Sequence, residues 1–516
     1  MSGSYDREHA RLLAVWNECD AEGVPIGSES EVEPDVGNYS NHNSERQGKC
    51  GVAVIRVSGA EAPTALQKLT DLKILPRPRH AILKRLKDPK SGEILDKGIV
   101  LWFPGPNSFT GEDSCEFQVH GGIAVVTAIL KALGSLPNTR LAAPGEFTRR
   151  AFYNGKLDLT EAEGLSDLLS AETEHQRKQA FLQAEGSLTN VCKGWKQILV
   201  RSLANLEAFI DFHESENIED GLMDDTFHLI VQLHGNISRY LCDGNRGERL
   251  RSGVKTVIIG ETNVGKSSLM NILSKRPVAI VTPVHGTTRD VLEVTLDISG
   301  YPLILTDTAG IRAGTVDPVE REGINRAVQS YQNADLILLV FDSEKYLLWH
   351  NANPDQKFSD YVLSYLQQLN LSDCLLKKDM SPSLQFTKQC ILIANKIDLI
   401  PKEYLHIFKY FSNSISCTSL DGFVMLTNNL TDKLKLLCSE PSKDHPSINQ
   451  IRHREHLSKC LEYLGSFLNE RESLERQTDL MAEKLRRALQ QLNKLTGDFT
   501  TEQLLDLIFK EFCIGK

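Results

Sequence analysis

The sequence VKTVIIGETNVGKSSL at residues 254–269 decides the fold of the central region of the chain. Its apolar, β-branched start is typical of a buried parallel strand. The next eight residues, GETNVGKS at 260–267, match the phosphate-loop pattern G-x-x-x-x-G-K-(S/T). The glycines let backbone N–H groups surround phosphate oxygens, Lys266 is placed to reach the β/γ-phosphates, and the Ser267 hydroxyl to bind Mg²⁺. A helix predicted over residues 267–274 adds its positive N-terminal dipole to this phosphate site.

Two further motifs follow the phosphate loop in the order that a guanine-nucleotide domain needs. The sequence DTAG at 307–310 ends a predicted strand, where Asp307 can hold the Mg²⁺ shell and the Gly310 N–H can face a γ-phosphate. The sequence NKID at 395–398 ends another, and the Asp of such a motif in GTPases accepts two hydrogen bonds from guanine that adenine cannot supply. We therefore expect GTP rather than ATP as the nucleotide.

Three further residues complete the predicted nucleotide site. Ser416 and Cys417 follow a predicted short strand and place a backbone N–H at guanine O6, with Cys where ordinary GTPases have Ala. Thr288 is expected to bind Mg²⁺ together with Ser267. The predicted GTP-binding residues are Asn263, Val264, Gly265, Lys266, Ser267, Ser268, Thr282, Thr287, Thr288, Asp307, Thr308, Ala309, Gly310, Asn395, Lys396, Asp398, Ser416 and Cys417.

The composition bounds the class of protein. A chain of 516 residues predicts about three domains, and 41% hydrophobic with 24% charged residues is typical of a globular protein. No apolar run approaches the roughly 18 residues of a membrane span, so none is expected. The eleven cysteines show no CxxC spacing, which argues against a zinc site or a disulfide scaffold. The net charge of −10 restricts any RNA contact to a local surface.

The first 47 residues differ in composition from the rest of the chain. They contain ten acidic and three basic side chains and a run rich in Ser, Asn, Glu and Gly. We therefore predict an acidic, disordered tail over residues 1–47. The segment lacks the Arg-rich, acid-poor composition of a transit peptide.

An α/β segment is predicted from Gly48 onward, with strands and helices at the periods expected for each. Residues 104–113 and 144–152 are interpreted as elaborate loops that can bind an anionic or planar ligand. The predicted strands are 52–57, 98–103, 114–120, 257–259, 303–306 and 390–394, and the predicted helices of this segment are 60–69 and 123–133.

Mainly helical sequence lies on both sides of the nucleotide motifs. The GxxG at 244–247 lacks the flanking elements of a KH domain and is interpreted as a loop. Ser, Asn, Asp and Lys in the insertion 344–388 indicate partial disorder. Helices are predicted over 159–174, 176–188, 193–209, 226–243, 424–438, 452–470, 474–495 and 501–512.

The simplest architecture is an α/β multidomain protein with the GTPase domain inserted between two segments of one helical bundle. Such an insertion would couple the nucleotide state to helix packing. The predicted domains are a tail (1–47), an N-terminal domain (48–154), a first helical segment (155–251), a G domain (252–440) and a second helical segment (441–516).

The chain resembles the MnmE (TrmE) family of tRNA-modification GTPases from Gly48 to Lys516. The motifs that carry the resemblance are LWFPGPNSFTGED (101–113), HGG (120–122), PGEFTRRAF (144–152), NGKLDLTEAEG (154–164), the phosphate loop, GTTRDVLE (286–293), DTAGIR (307–312) and FCIGK (512–516). The resemblance implies a folate-binding N-terminal domain, a discontinuous helical bundle and an inserted Ras-like P-loop GTPase domain. It also implies a homodimer through the N-terminal domains. The family's usual first strand is not recognisable before Gly48.

The resemblance implies a site for 5-formyl- or 5,10-methylene-tetrahydrofolate in the N-terminal domain. Its residues would be Arg56, Glu116, Lys156 and the C-terminal Lys516. A planar pterin with hydrogen-bonding edges and an anionic glutamate tail suits one carboxylate and several cations. Cys513 would lie near the folate.

The resemblance also implies a potassium-activated hydrolysis reaction. Ile311 occupies the position where a water-orienting Gln normally follows DTAG. K⁺ would stabilise the charge on the phosphates in the transition state. Glu320 would orient the attacking water, with Glu322 and Asp317 left open, and Lys266 and Cys513 are the other catalytic candidates. The implied K⁺ ligands are Asn263, Thr282, Val284 and Thr287.

The biological task implied by the family is modification of carbon 5 of the wobble uridine of tRNA. An FAD-containing partner of the MnmG (GidA) type participates, and the amine is glycine, ammonium or taurine. Eukaryotic members are mitochondrial. The alternative is an Era-type assembly GTPase that acts as an RNA-binding switch, which predicts a KH-like domain after the G domain; none is visible in the sequence.

Overall fold

The computed structural model describes two compact units, residues 1–166 with 496–516 and residues 167–495. No helix among the described residues is both long and apolar enough to cross a membrane. The described residues are 12–17 (backbone), 49–212, 222–274, 293–307, 331–369, 371–372, 386–408, 411, 413–443, 445–470, 474–498, 505 and 508–509.

An antiparallel five-stranded sheet with two helices forms the body of the first unit. The strand order is β1-β2-β5-β4-β3. Ala53, Ile55 and Val57 alternate along β2 and are almost fully buried against the helices, as expected for a sheet covered on one face. The elements are β1 (Leu12–Asn17), β2 (Lys49–Ser58), α1 (Ala62–Thr70), β3 (Ile82–Lys87), β4 (Ile94–Phe103), β5 (Ser114–Gly122), α2 (Ile123–Gly134), α3 (Glu146–Tyr153) and α4 (Leu159–Leu169).

Two interpretations of the N-terminal region are wrong. A strand does precede Gly48, because Leu12–Asn17 pairs antiparallel with β2 from Leu12 opposite Ser58 to Asn17 opposite Ala53. Its apolar run LLAVWN supplies a strand inside an otherwise acidic segment. The motif at 144–152 is not only a loop, because α3 begins directly after Gly145, whose φ of 71° turns the chain into the helix. The remainder of residues 1–47 lies outside the described residues.

The second unit contains a mixed five-stranded sheet in the order β10-β9-β6-β8-β7, in which only the β7–β8 pair is antiparallel. Alternate residues of β9 belong to two apolar clusters, one on each face of the sheet. Both faces are therefore covered, as parallel strands require. The elements are β6 (Val254–Ile259), α9 (Lys266–Ser274), β7 (Glu293–Ile298), β8 (Tyr301–Asp307), β9 (Leu336–Asp342), α10 (Ser343–Ala352), α11 (Phe358–Gln368), β10 (Gln389–Asn395), α12 (Leu405–Phe408) and α13 (Phe423–Leu437).

The insertion predicted to be partly disordered contains two packed helices, α10 and α11. Tyr346, Tyr361 and Tyr365 are at most 7% exposed and join the apolar cluster under β9. Their aromatic rings face the sheet while the polar residues that suggested disorder lie on the outer side of the helices. The prediction is therefore wrong for residues 344–368, and residues 373–385 lie outside the described chain.

Helices from both sides of this sheet in the sequence share one apolar core. Leu199 and Ile230 from the preceding helices and Leu464 and Leu485 from the following ones are fully buried in a single cluster. The helices of the second unit are α5 (Glu174–Ala184), α6 (Ser187–Phe212), α7 (Leu222–Leu241), α8 (Arg246–Ser252), α14 (Ile451–Leu468) and α15 (Leu474–Thr496).

Three local predictions in this unit need correction. The helix predicted over 159–174 ends at Leu169, because Thr173 forms a capping box with Gln176 and starts α5 there. The GxxG loop at 244–247 runs into α8, which begins at Arg246. The short strand predicted before Ser416 is a single parallel bridge between 394 and 414. Of the predicted helix 501–512, only residues 505 and 508–509 are described.

Candidate functional site

The phosphate loop connects the end of β6 to the start of α9, and its two glycines are required by close contacts. A Cβ on Gly260 would lie 2.3 Å from the carbonyl oxygen of Val340, and a Cβ on Gly265 would lie 2.1 Å from Nδ2 of Asn395. Gly265 has a φ of 96° and Asn263 a φ of 61°. These left-handed positions curl the backbone tightly enough for its N–H groups to converge on an anion.

Lys266 lies inside this curl. Its Nζ donates hydrogen bonds to the carbonyls of Gly260 (3.0 Å) and Glu261 (2.6 Å), and the residue is 6% exposed. The exposed Ser267 and Ser268 follow in the first turn of α9. The loop therefore combines a positioned ammonium group with the positive end of a helix.

The residues present fit a magnesium ion with bound phosphates. Asp307 is the last residue of β8 and is paired in register with Ile258, so a carboxylate-bearing residue ends the strand beside the one that leads into the loop. The Ser267 hydroxyl and this Asp are oxygen donors of the kind that Mg²⁺ prefers. The second predicted Mg²⁺ ligand, Thr288, lies outside the described residues.

Asn395 connects the phosphate loop to the loop that carries Ser416 and Cys417. Its Nδ2 donates to the carbonyl of Val264 (2.7 Å), and its Oδ1 accepts from the N–H of Cys417 (3.3 Å). The side chain is 1% exposed, so both hydrogen bonds form away from water. The NKID, SC and phosphate-loop motifs, which are far apart in the sequence, thus meet at one amide.

The other residues of the NKID and SC motifs are held by an ion pair and by tight turns. Lys396 has a φ of 66° and its Nζ lies 2.7 Å from Asp342 Oδ2. Asp398 follows in a short 3₁₀ turn and is exposed. Ser416 is buried and its Oγ accepts the N–H groups of residues 418 and 419. Burial raises the pKa of the Cys417 thiol, with the charge of Asp398 acting in the same direction, so Cys417 stays neutral beside the carboxylate that would face guanine.

A second candidate site surrounds Arg56 in the first unit. The Arg56 guanidinium pairs with Glu116 Oε1 across neighbouring strands at 2.8 Å. It also lies over the rings of Phe109 and Phe147, at 5.6 and 5.7 Å from their centroids. The pairing follows from the register of β2 and β5, in which residues 56 and 116 are directly opposite. A cation, a carboxylate and aromatic faces are therefore together, which suits a planar, hydrogen-bonding ligand.

Lys156 contacts the same loop that carries Phe109. Its Nζ donates to the carbonyl of Pro106 (3.1 Å), and its side chain would meet a Cβ on Gly111 at 3.3 Å. The loop 104–113 therefore lies against both Lys156 and Arg56. Of the four predicted folate residues, Arg56 and Lys156 contact this loop and Glu116 pairs with Arg56. The fourth, Lys516, lies outside the described residues.

A network of charged residues supports this loop. Arg150 of α3 binds both carboxylate oxygens of Glu112 (3.0 and 3.1 Å) and also contacts Glu146. Burial alone would raise the pKa of Glu146, but hydrogen bonds from Arg140 and from the Ala143 N–H lower it below the ordinary value. The Glu112–Arg150 pair was not predicted; the only sequence signal was that both residues fall within the GED and PGEFTRR motifs.

The C-terminal segment reaches the start of α3. A Cβ on Gly145 would lie 2.0 Å from the carbonyl oxygen of Phe509, whose ring lies 5.7 Å from the Arg149 guanidinium. Phe509 also packs with Leu159 in a small buried cluster. Phe509, three residues before FCIGK, is thus packed against the first unit.

Comparisons with known proteins identify the family of the chain. Residues 43–156 match the model described as the GTP-binding protein TrmE N-terminus, and residues 159–513 match the MnmE helical domain. The chain belongs to the MnmE (TrmE) family. The resemblance inferred from the sequence is thereby confirmed.

Curated relatives of this MnmE-family chain align over most of their length. A mitochondrial 5-taurinomethyluridine-tRNA synthase subunit from Danio rerio is 48% identical over 92% of both chains. Its counterpart from Homo sapiens is 45% identical over the same shares. The tRNA modification GTPase MnmE of Maricaulis maris is 40% identical over 91% of this chain and 97% of its own.

Several site residues predicted for this MnmE-family chain fall outside the described residues, so their positions remain predictions. Four residues at the Arg56 site or its neighbouring loop were not predicted as site residues: Phe109, Phe147, Glu112 and Arg150. The predicted site residues outside the described chain are Thr282, Val284, Thr287, Thr288, Thr308, Ala309, Gly310, Glu320, Cys513 and Lys516.

Proposed function

We propose that this protein is a mitochondrial GTP hydrolase that acts in the modification of tRNA. The relatives named as mitochondrial tRNA-modification proteins cover nearly the whole chain. The observation that carries the GTP assignment is Asn395, whose buried amide holds the phosphate loop and the guanine loop against one another.

The residues of the chain have distinct tasks in this reaction. The phosphate-loop N–H groups and Lys266 bind the β- and γ-phosphates, and Ser267 and Asp307 hold Mg²⁺. The exposed carboxylate of Asp398 accepts hydrogen bonds from the N1–H and N2–H groups of guanine, which selects GTP over ATP. Glu320 orients the attacking water.

The finer proposal is that K⁺ activates the hydrolysis. Bound K⁺ would supply positive charge at the phosphates, where other GTPases use an arginine. The proposed ligands are the Asn263 side chain and oxygens of Thr282, Val284 and Thr287. Asn263 is exposed at a φ of 61° in the loop, so its side chain is accessible to a cation beside the phosphates.

The modification chemistry is proposed for the first unit. The Arg56–Glu116 pair, with Lys156 and Lys516, would bind a tetrahydrofolate that donates a one-carbon unit to carbon 5 of the wobble uridine. The Phe109 and Phe147 rings beside Arg56 support this, because they shape a site for a planar group. The proposal also includes an FAD-containing partner of the MnmG type and a homodimer through the N-terminal domains. The proposed domain boundaries lie at residues 47, 154, 251 and 440.

The test is GTP hydrolysis in KCl against NaCl at equal ionic strength. The wild type is expected to hydrolyse GTP at least tenfold faster in K⁺, a difference of about 1.4 kcal/mol in the barrier, and Asn263→Ala is expected to lose this stimulation. Asn353→Ala is the matched control, because that side chain only caps the end of α10. Equal wild-type rates in the two salts would refute K⁺ activation and favour an Era-type switch that awaits an external activator.

A further inference from the structure

The phosphate loop is held from α11, a helix inside the segment between β9 and β10. The hydroxyl of Tyr365 donates to the carbonyl of Val340 (2.8 Å) and accepts the backbone N–H of Glu261 (2.9 Å). Tyr365 is 5% exposed and Val340 is fully buried. The hydroxyl therefore joins the end of a central strand to the second residue of the phosphate loop.

This bond leads directly to the ammonium group of the site. The same Glu261 residue whose N–H is held by Tyr365 offers its carbonyl to Lys266 Nζ at 2.6 Å. Burial raises the pKa of Tyr365, so the hydroxyl keeps its proton and can donate and accept at once. The hydrogen bonds run in sequence from strand β9 through Tyr365 and Glu261 to Lys266.

We propose that Tyr365 is a positioning residue for the nucleotide phosphates, which it serves by fixing the 260–261 peptide and, through it, the Lys266 amine. The proposal rests on the GTP binding proposed above. The left-handed residues Asn263 and Gly265 follow Glu261 in the loop, and the Asn395 amide holds the carbonyl of Val264 between them. The Tyr365 hydroxyl therefore anchors the start of the loop, whereas Asn395 anchors its middle.

The hydroxyl, rather than the nearby ion pair, is the effective contact. Lys345 Nζ lies 2.5 Å from Glu261 Oε2, but the Lys345 side chain is 59% exposed. The Glu261 side chain is 13% exposed, but the exposed Lys345 ammonium leaves the pair open to screening by water and salt, so we expect the pair to contribute little. Two variants therefore separate the contacts: Tyr365→Phe removes the hydroxyl alone, and Lys345→Ala removes the ion pair alone.

The experiment measures binding of fluorescent mant-GDP and of GTPγS to the full chain. In Tyr365→Phe the Glu261 N–H and the Val340 carbonyl lose their partner, and we expect both dissociation constants to rise about tenfold. The ratio of IDP to GDP affinity is expected to stay unchanged, because guanine is read at Asp398. Lys345→Ala is expected to change either constant less than about twofold.

Tyr346→Phe is the matched control, because its ring lies in the same aromatic cluster, 4.9 Å from the Tyr361 centroid. A tenfold loss confined to Tyr365→Phe supports the proposal. Unchanged affinity in Tyr365→Phe overturns the proposal. An equal loss in Tyr346→Phe also overturns it, because the loss would then come from general packing in the aromatic cluster. Absence of nucleotide binding in the wild type would instead overturn the proposed function.

A measurement on the wild type covers the case in which Tyr365→Phe does not fold. The geometry requires the Glu261 amide to be protected from hydrogen exchange, since it donates to a buried hydroxyl. Exchange of this amide at the rate of a free amide would overturn the proposal without any variant. Protection of at least about a hundredfold, equivalent to about 2.7 kcal/mol of local opening, is the expected result.

Discussion

Replacing Asn395 by Ala should loosen two loops at once, because one buried amide holds both. The substitution leaves the Val264 carbonyl and the Cys417 N–H without partners. Each buried polar group left unpaired costs about 1–3 kcal/mol, and the longer bond to Cys417 falls at the low end. We expect the local opening free energy to fall by about 2–4 kcal/mol, which makes amide exchange roughly 30- to 1000-fold faster.

The assay is hydrogen exchange of peptides that span residues 254–269 and 411–420, with mant-GDP titration beside it. Nucleotide affinity should fall at least about tenfold, because the phosphate and guanine contacts are no longer held in one arrangement.

Asn395→Asp separates the two contacts. It keeps an acceptor for Cys417 but replaces the donor to Val264 by a carboxylate oxygen. Only the phosphate-loop peptide should then exchange faster. If Asn395→Ala leaves exchange of that peptide unchanged, the amide does not couple the loops and the reasoning is refuted.

Further predictions concern the loop glycine, the Arg56 site and the acidic network. Gly265→Ala should abolish mant-GDP binding, because its φ of 96° and a 2.1 Å contact to Asn395 exclude a Cβ. Gly194→Ala is the control, because a Cβ added there meets no atom within 4 Å. It should stabilise the protein by about 1 kcal/mol in thermal unfolding. Arg56→Lys should weaken tetrahydrofolate binding about tenfold in a fluorescence titration, because Lys keeps the charge but not the planar group. The pKa of Glu146 is held below its ordinary value of 4.5, so its contribution to the free energy of unfolding is fully present above pH 4.5 and is lost as the pH falls through the lowered pKa. Glu146→Gln should weaken this loss of stability at acid pH in urea unfolding. An unchanged pH dependence would contradict the assignment.

The sequence was sufficient where a short pattern fixes both local conformation and chemistry. The phosphate loop needs glycines at two positions for steric reasons, so its pattern predicts the curl, the strand before it and the helix after it. The NKID motif behaves in the same way. The register of β2 and β5 could not be predicted, yet it alone places Glu116 opposite Arg56. Contacts between distant residues depend on tertiary packing, which local patterns do not encode.

Average composition gave wrong predictions where a few apolar or special residues decided the structure. The insertion 344–388 is polar on average, but the rings of Phe358, Tyr361 and Tyr365 recur at helical spacing and cover the sheet. The Pro-Gly pair before α3 indicated a loop, although Gly145 serves as the turn into a helix. In both cases a few apolar or special residues decided the structure against a larger number of polar ones.

The two ends of the segment that contains the mixed five-stranded sheet lie close together, and this closeness affects how the chain folds. Arg246 donates to the carbonyls of Lys435 and Cys438, which come 189 and 192 residues later. Once the intervening sheet has formed, the helices before and after it are joined by what is effectively a short tether. Shortening a loop about twentyfold lowers the entropy cost of closure by roughly 2–3 kcal/mol. We therefore expect the helical core around Leu199, Ile230, Leu464 and Leu485 to form more readily once the sheet is in place. A substitution that slows folding of the sheet should then delay this core, although it touches none of its helices.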